Sequence, residues 1–191
     1  MPVTINGNGS ITGISAGGLP SGSLTLSKTD MPAGTVIQCV TDTTTAATNN
    51  DGNTYVTING LSVTMTPRAA NSKFYAIFEG HFYVDYGGSG NNSAHGIGYN
   101  IYKDGTRFTT SPNDSGGGEN NERPYDLYND GTHRTVARLM KTGQGTFGST
   151  SAATFTVKFK AYYANSQYTV KLNENGVDET QAQLTVMEIA V

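Results

Sequence analysis

Tryptophan is absent from this chain, and cysteine occurs once, as Cys39. A single thiol excludes an intrachain disulfide framework and any cysteine-rich zinc site. Charge is scarce as well: Asp, Glu, Lys and Arg make up 14% of the 191 residues, and the net charge is -3. That balance leaves no basic stripe for nucleic acid. No run approaches the roughly 18 apolar residues of a membrane-spanning helix, so no membrane insertion is expected. The opening MPVTINGNGS lacks the basic start and apolar stretch of a secretory signal. The expectation is a chain made in a reducing cytoplasm and delivered elsewhere to work. Leu, Glu, Lys and Ala are too few for a helical protein. In their place stand 24 glycines and 11 tyrosines, with abundant Thr, Asn and Ser. Thr and Tyr fit a pleated, half-buried surface, and Gly and Asn fit tight turns.

Residues 1–33 differ from the rest. Gly7, Gly9, Gly13, Gly17, Gly18 and Gly22 punctuate Thr, Ser and Asn. Isolated apolar residues stand between them: Ile5, Ile11, Ile14, Leu19, Leu24 and Leu26. No period holds for long, so a lone chain buries these six poorly. The segment reads either as a flexible leader or as an extended connector ordered only against other chains. In the second reading these six residues are its assembly and docking contacts. Residues 34–191 read as a separate head domain.

From Thr35 onward the pattern is strands. Residues 35–40 are a short apolar run, and 41–53 a polar, turn-rich stretch. Residues 55–65 give one or two strands, with Asn59-Gly60 as a bulge or bend and Pro67 as the stop. In 73–86, Phe74, Ala76, Phe78, Phe82 and Val84 share one face, and Tyr75, Ile77, Glu79, His81, Tyr83 and Asp85 the other. Gly80 is a candidate bend. Residues 96–103 close on Asp104-Gly105, a tight-turn signal. Strands follow at 134–141, at 153–163 with the cleanest alternation, and at 168–172. The last, 183–191, is apolar on both faces and reads as buried between two layers. About eight strands and no convincing helix predict an all-β fold: a β-sandwich or jelly roll behind an extended Gly-rich N-terminal segment.

Catalytic chemistry finds little support. His81, His95 and His133 are the only histidines, without metal-ligand spacing or a cysteine partner. No metal or cofactor is expected. Gly13-Ile14-Ser15-Ala16-Gly17 matches a nucleophile-elbow string, but that motif needs a strand before it and a helix after. Glu79 and Asp85 stand six residues apart on one strand face, roughly 20 Å, too far for a glycosidase pair. The Asn- and Asp-rich stretch 113–130 lacks the calcium-loop pattern. No catalytic residue is assigned, and the chain is read as no enzyme. Tyrosines beside Gly/Asn-rich loops offer an apolar ring with a polar tip, suited to sugars or protein loops. Loops on a rigid scaffold carry function. The candidate receptor contacts are therefore Ser89, Asn91, Asn92 and His95, then Asn120, Tyr125 and Tyr128.

Four stretches carry a resemblance. Residues 9–20, Gly9-Ser10-Ile11-Thr12-Gly13-Ile14-Ser15-Ala16-Gly17-Gly18-Leu19-Pro20, are similar to a connector found upstream of fibre tips. Pro32-Ala33-Gly34-Thr35-Val36-Ile37-Gln38 and Gly60-Leu61-Ser62-Val63-Thr64-Met65-Thr66-Pro67 resemble the opening of a globular tip. Leu184-Thr185-Val186-Met187-Glu188-Ile189-Ala190 resembles its closing strand. The chain thus resembles phage tail-fibre and virion structural proteins. The resemblance implies a homotrimeric jelly-roll head, located in the virion tail and made in the host cytoplasm. It would dock on other tail or baseplate proteins through residues 1–33 and attach to a host surface glycan or protein. A short fibre, tip or baseplate-attached protein fits the near absence of a shaft. The alternatives are a capsid decoration protein and a polysaccharide-degrading fibre enzyme.

Overall fold

Among the described residues every regular element is a β-strand. A computed structural model describes residues 31–52, 54–86, 97–108, 135–161, 168–173 and 181–191, with the short pairs 4–5 and 11–12. The chain divides into two compact units, Met1–Pro32 and Ala33–Val191. In the first, β1 (Thr4–Ile5) pairs antiparallel with β2 (Ile11–Thr12), which sets Ile5 opposite Ile11.

The second unit is a β-sandwich of two antiparallel sheets. Its strands are β3 (Val36–Thr44), β4 (Thr48–Asn50), β5 (Val56–Met65), β6 (Lys73–Tyr86) and β7 (Ile97–Lys103). Then come β8 (Thr106–Arg107), β9 (Thr135–Thr146), β10 (Ala153–Ala161), β11 (Tyr168–Leu172) and β12 (Ala182–Ile189). The four-stranded sheet runs β5-β10-β7-β8. The six-stranded sheet is organised by β6. Its one edge pairs with β9 from Lys73 to Val84. Its other edge is shared, with β12 against Lys73–Glu79 and β11 against Phe82–Tyr86. β3 lies outside β12, and β4 outside β11.

Among the described residues ten strands thus replace the expected eight, and the two additions, β4 and β8, are short. β8 is the return arm of a two-residue turn in which Asp104 (φ 50) and Gly105 (φ 79) are both left-handed, the geometry that matches strand twist. β4 falls inside the stretch 41–53, which reads as turn in the sequence. β3 also runs on to Thr44, because its threonines pair with β12. β-branched threonine is well suited to that setting despite its polarity. Asn59-Gly60 is a bulge: Gly60 has φ +67, and the register slips from Thr156 opposite Ser62 to Lys158 opposite Thr57.

Alternation places the core. Phe74, Phe78 and Phe82 on β6 and Phe155 and Phe159 on β10 are all under 3% exposed. Burying each contributes about 1.5–3 kcal/mol relative to leaving it in water. Phe74 meets Phe155 edge-on at 5.1 Å, and Phe82 meets Phe159 at 5.3 Å. These two contacts fix β6 and β10 as running in the same direction in facing layers. β6 is continuous through Gly80. A Cβ there would stand 2.7 Å from Phe78 Cζ and 3.0 Å from Leu172 Cδ1, so the missing side chain makes room for the ring.

The closing strand corrects another expectation. Ala182, Leu184 and Val186 of β12 are fully buried, but Met187 and Ile189 on its other face are only half-buried. Its high burial comes from one core face plus flanking by β3 and β6, and the second face has no covering layer among the described residues. Glu188 shares the inner face and is fully buried. It accepts from Gln38 Nε2 at 2.6 Å and from the Arg68 backbone N–H at 2.9 Å. A carboxylate so satisfied pins the corner after β5 onto the sheet.

Candidate functional site

The sandwich has two ends and two outer faces. The strand ends Tyr86, Ile97, Thr135, Ala161 and Tyr168 gather at one end. Tyr168 is the register partner of Tyr86, Ala161 that of Ile97, and Thr135 that of Val84. The parallel course of β6 and β10 puts both sheets' groups on the same side. The proposed receptor contacts Ser89, Asn91, Asn92, His95, Asn120, Tyr125 and Tyr128 lie outside the described residues. So do Ile14, Leu19, Leu24 and Leu26 of the docking set and the Gly13–Gly17 string.

One outer face belongs to the six-stranded sheet. Register aligns its side chains in rows across β9, β6, β12 and β3. Thr142, Ile77, Thr185 and Thr41 form one row. Gln144, Tyr75, Met187 and Cys39 form the next. Lys73, Ile189 and Val36 lie beyond, and Met140 stands opposite Glu79. Met140 is 65% exposed and Val36 50% exposed, and Cys39 is an exposed free thiol. Tyr75, Ile77, Met187 and Ile189 are half-buried. Glu79 is ion-paired with Arg138, its diagonal neighbour across β6 and β9. That pairing gives Glu79 a cross-strand partner of opposite charge. Among the described residues no three His, Cys, Asp or Glu side chains converge on a common metal position.

The other outer face belongs to the four-stranded sheet, and sequence reasoning missed its organisation. Lys158 and Lys160 alternate outward on β10. Their register partners on β7 are Asn100 and Gly98, with Tyr102 one row along, opposite Thr156. Lys158 Nζ lies 4.6 Å from the centre of the Tyr102 ring, and Lys160 Nζ 4.9 Å from that of Tyr55. The two rings meet edge-on at 6.2 Å, and Asn100 Nδ2 donates to Tyr55 Oη at 3.0 Å. Each ammonium–ring contact is worth about 0.5–1 kcal/mol at an exposed site and more when desolvated. Alternation shows both lysines on one face. Nothing in the sequence shows that β7 lies beside β10 or that Tyr55 crosses over them.

No protein-family model matches the chain, and no curated protein matches it.

Proposed function

We propose that this chain is a structural component of a phage tail: a short fibre, tip or baseplate-attached protein. Its sandwich is a homotrimeric head that attaches to a host surface without turnover. The observation that supports the reading most is the outer face of the six-stranded sheet. A solvent-facing sheet face is ordinarily polar. This one presents Tyr75, Ile77, Met187 and Ile189 half-exposed around an exposed Cys39. Its occupant is a second copy of the same chain. Glu79 and Arg138 pair with each other, and Lys73 stands in the end row, so two copies meet there without strong like-charge repulsion. A cyclic operator closes such an assembly and prevents open-ended growth. Threefold symmetry is what the fibre-tip resemblance implies, with residues 1–33 docking the head on other tail proteins.

Sedimentation of the purified protein is expected to give three copies of the 20.2 kDa chain. Cys39, the one thiol present, then reacts slowly with a thiol reagent in the native assembly and quickly after denaturation. A stable monomer at micromolar concentration with a fast-reacting thiol sinks the trimer. Immunogold labelling of particles tests location. Label at the tail tip is expected, and label over the capsid returns the decoration-protein alternative.

A further inference from the structure

We infer that copies of this chain meet through only one half of the outer face of the six-stranded sheet. That half lies beside the chain's entry into the sandwich, and the opposite ends of the copies stand apart. The inference rests on the reading of this face as a contact between copies, and gives that contact its limits and its direction.

The face is not uniform along its strands. The outward residues of β6 are, in order, Lys73, Tyr75, Ile77, Glu79, His81 and Tyr83. The rows of Lys73, Tyr75 and Ile77 hold the apolar side chains: Ile189 and Met187 on β12, half-buried, and Val36 on β3, 50% exposed. No carboxylate stands in these three rows, whose members on β9, β12 and β3 are uncharged. The first is Glu79, one row further on, and it is ion-paired with Arg138.

This half is also prepared to lose water. Its central polar groups bond to one another: Thr41 Oγ1 and Thr185 Oγ1 lie 2.9 Å apart, and Gln183 Nε2 donates to Thr185 Oγ1 at 3.1 Å. Covering a hydroxyl already bonded within its own sheet leaves no orphaned group, and so avoids the main penalty of burying polar atoms.

The other half is closed. Tyr83 belongs to the outward set, yet it is 2% exposed. It takes no part in the core between the sheets, which does include Phe82 beside it. Its ring is therefore buried on the outer side, and a single chain supplies the cover. A second copy has no access to that ring.

The two halves differ in where they lie on the head. The Gly34 N–H donates to the Ala190 carbonyl at 2.9 Å, and the Ala190 N–H to that of Thr35 at 2.8 Å. The chain thus enters the sandwich at the row of Val36 and Ile189, on the apolar side. The strand ends Tyr86, Ile97 and Thr135 lie at the opposite end. A rotational operator closed over the entry half leaves each copy's opposite end free. Several such ends on one surface bind together more tightly than one alone.

Two positions measure the boundary. Cys39 lies in the row of Tyr75, and Asn49 in the row of Tyr83. Both are exposed, and both stand outside the strand that neighbours β6 on the same side. They differ in position along the strands, by roughly 27 Å at the rise of an extended chain.

The test uses the purified full-length chain. Sedimentation is expected to give single copies for Ile77→Asp and Thr142→Asp, which bring like charges together in the contact. Wild type and Asn49→Asp are expected to stay as three copies. Circular dichroism and melting temperature should hold throughout, and Thr142, exposed on β9, carries the test if Ile77→Asp unfolds. A thiol reagent then reads the cover. Cys39 should react about tenfold faster in the single-copy variant than in wild type, because a shielded thiol reacts only through its open fraction. In a Cys39→Ser chain, the thiol of Asn49→Cys should react equally fast with and without the dissociating substitution. Both aspartate variants remaining as three copies overturns the inference. So does dissociation by Asn49→Asp, or shielding of the Asn49→Cys thiol as strong as that of Cys39. In those cases a wild type of three copies leaves the contact between copies standing, over a different area. A wild type of single copies overturns contact and inference together.

Discussion

Replacing Gly80 by alanine adds one methyl group to the middle of β6. On backbone grounds the change should help, because alanine has less unfolded-state freedom to lose, by about 0.5–1 kcal/mol. Packing opposes it. The new Cβ would stand 2.7 Å from Phe78 Cζ, a distance that real Cβ atoms essentially never keep, and 3.0 Å from Leu172 Cδ1, tighter than ordinary contact. Neither neighbour can step aside freely. Phe78 and Leu172 are both fully buried, and Phe78 is held at 6.1 Å from Phe82 and 6.2 Å from Tyr99. Overpacking of this kind costs about 1–3 kcal/mol. The net is a loss of about 1–2 kcal/mol, which lowers the melting temperature by roughly 2–8 °C for a domain of this size. Gly52→Ala is the control. Its nearest neighbours are Asn50 Oδ1 at 3.6 Å and the Thr54 nitrogen at 3.9 Å, ordinary contacts. The same chemical change there should be neutral or stabilising. Leu172→Ala should also cost less in the Gly80→Ala background than in wild type, since the new methyl fills part of the cavity. Scanning calorimetry and urea unfolding read wild type and all four variants. If Gly80→Ala melts at or above wild type, the packing argument is wrong.

Two further outcomes follow from the core. Glu188→Ala leaves the Arg68 N–H without its acceptor and Gln38 Nε2 with the Thr66 carbonyl alone, and should destabilise by about 2 kcal/mol or more, while Glu188→Gln, which keeps one oxygen, loses less; equal stability of alanine variant and wild type in urea unfolding would refute this role of Glu188. Phe159→Ala removes a fully buried ring packed against Phe82 and should cost about 3–5 kcal/mol, read as a lower urea midpoint at unchanged slope.

Much of this architecture was legible before any coordinates. Phe74, Ala76, Phe78 and Phe82 recur at period 2, and so do Phe155, Val157, Phe159 and Ala161; all are buried. A period of 2 is a local property of the pleated chain, so composition and alternation are enough to assign the strands and their inward faces. Asp104-Gly105 and Asn59-Gly60 were legible for the same reason. A left-handed backbone is dictated by the residue that must adopt it.

Which strand lies beside which was not legible. The chain passes from β5 in one sheet to β6 in the other, back to β7 and β8, across to β9, back to β10 and across again to β11. Apart from the β7–β8 hairpin, few neighbours in sequence are neighbours in a ladder. β3 finds its partner in β12, with Gln38 facing Glu188 from 150 residues away. Backbone hydrogen bonds are alike in every strand and carry no address. Partner choice is set by how the two layers' side chains fill one core together. The short β4, the space kept at Gly80 for Phe78, and the Tyr55–Tyr102 contact beside Lys158 all depend on that choice. The sequence alone determined the longer strands, their inward faces and the tight turns, because these follow from local geometry. Tertiary packing alone decided the order of the strands and the surfaces that this order assembles, because those are properties of residues far apart in the chain.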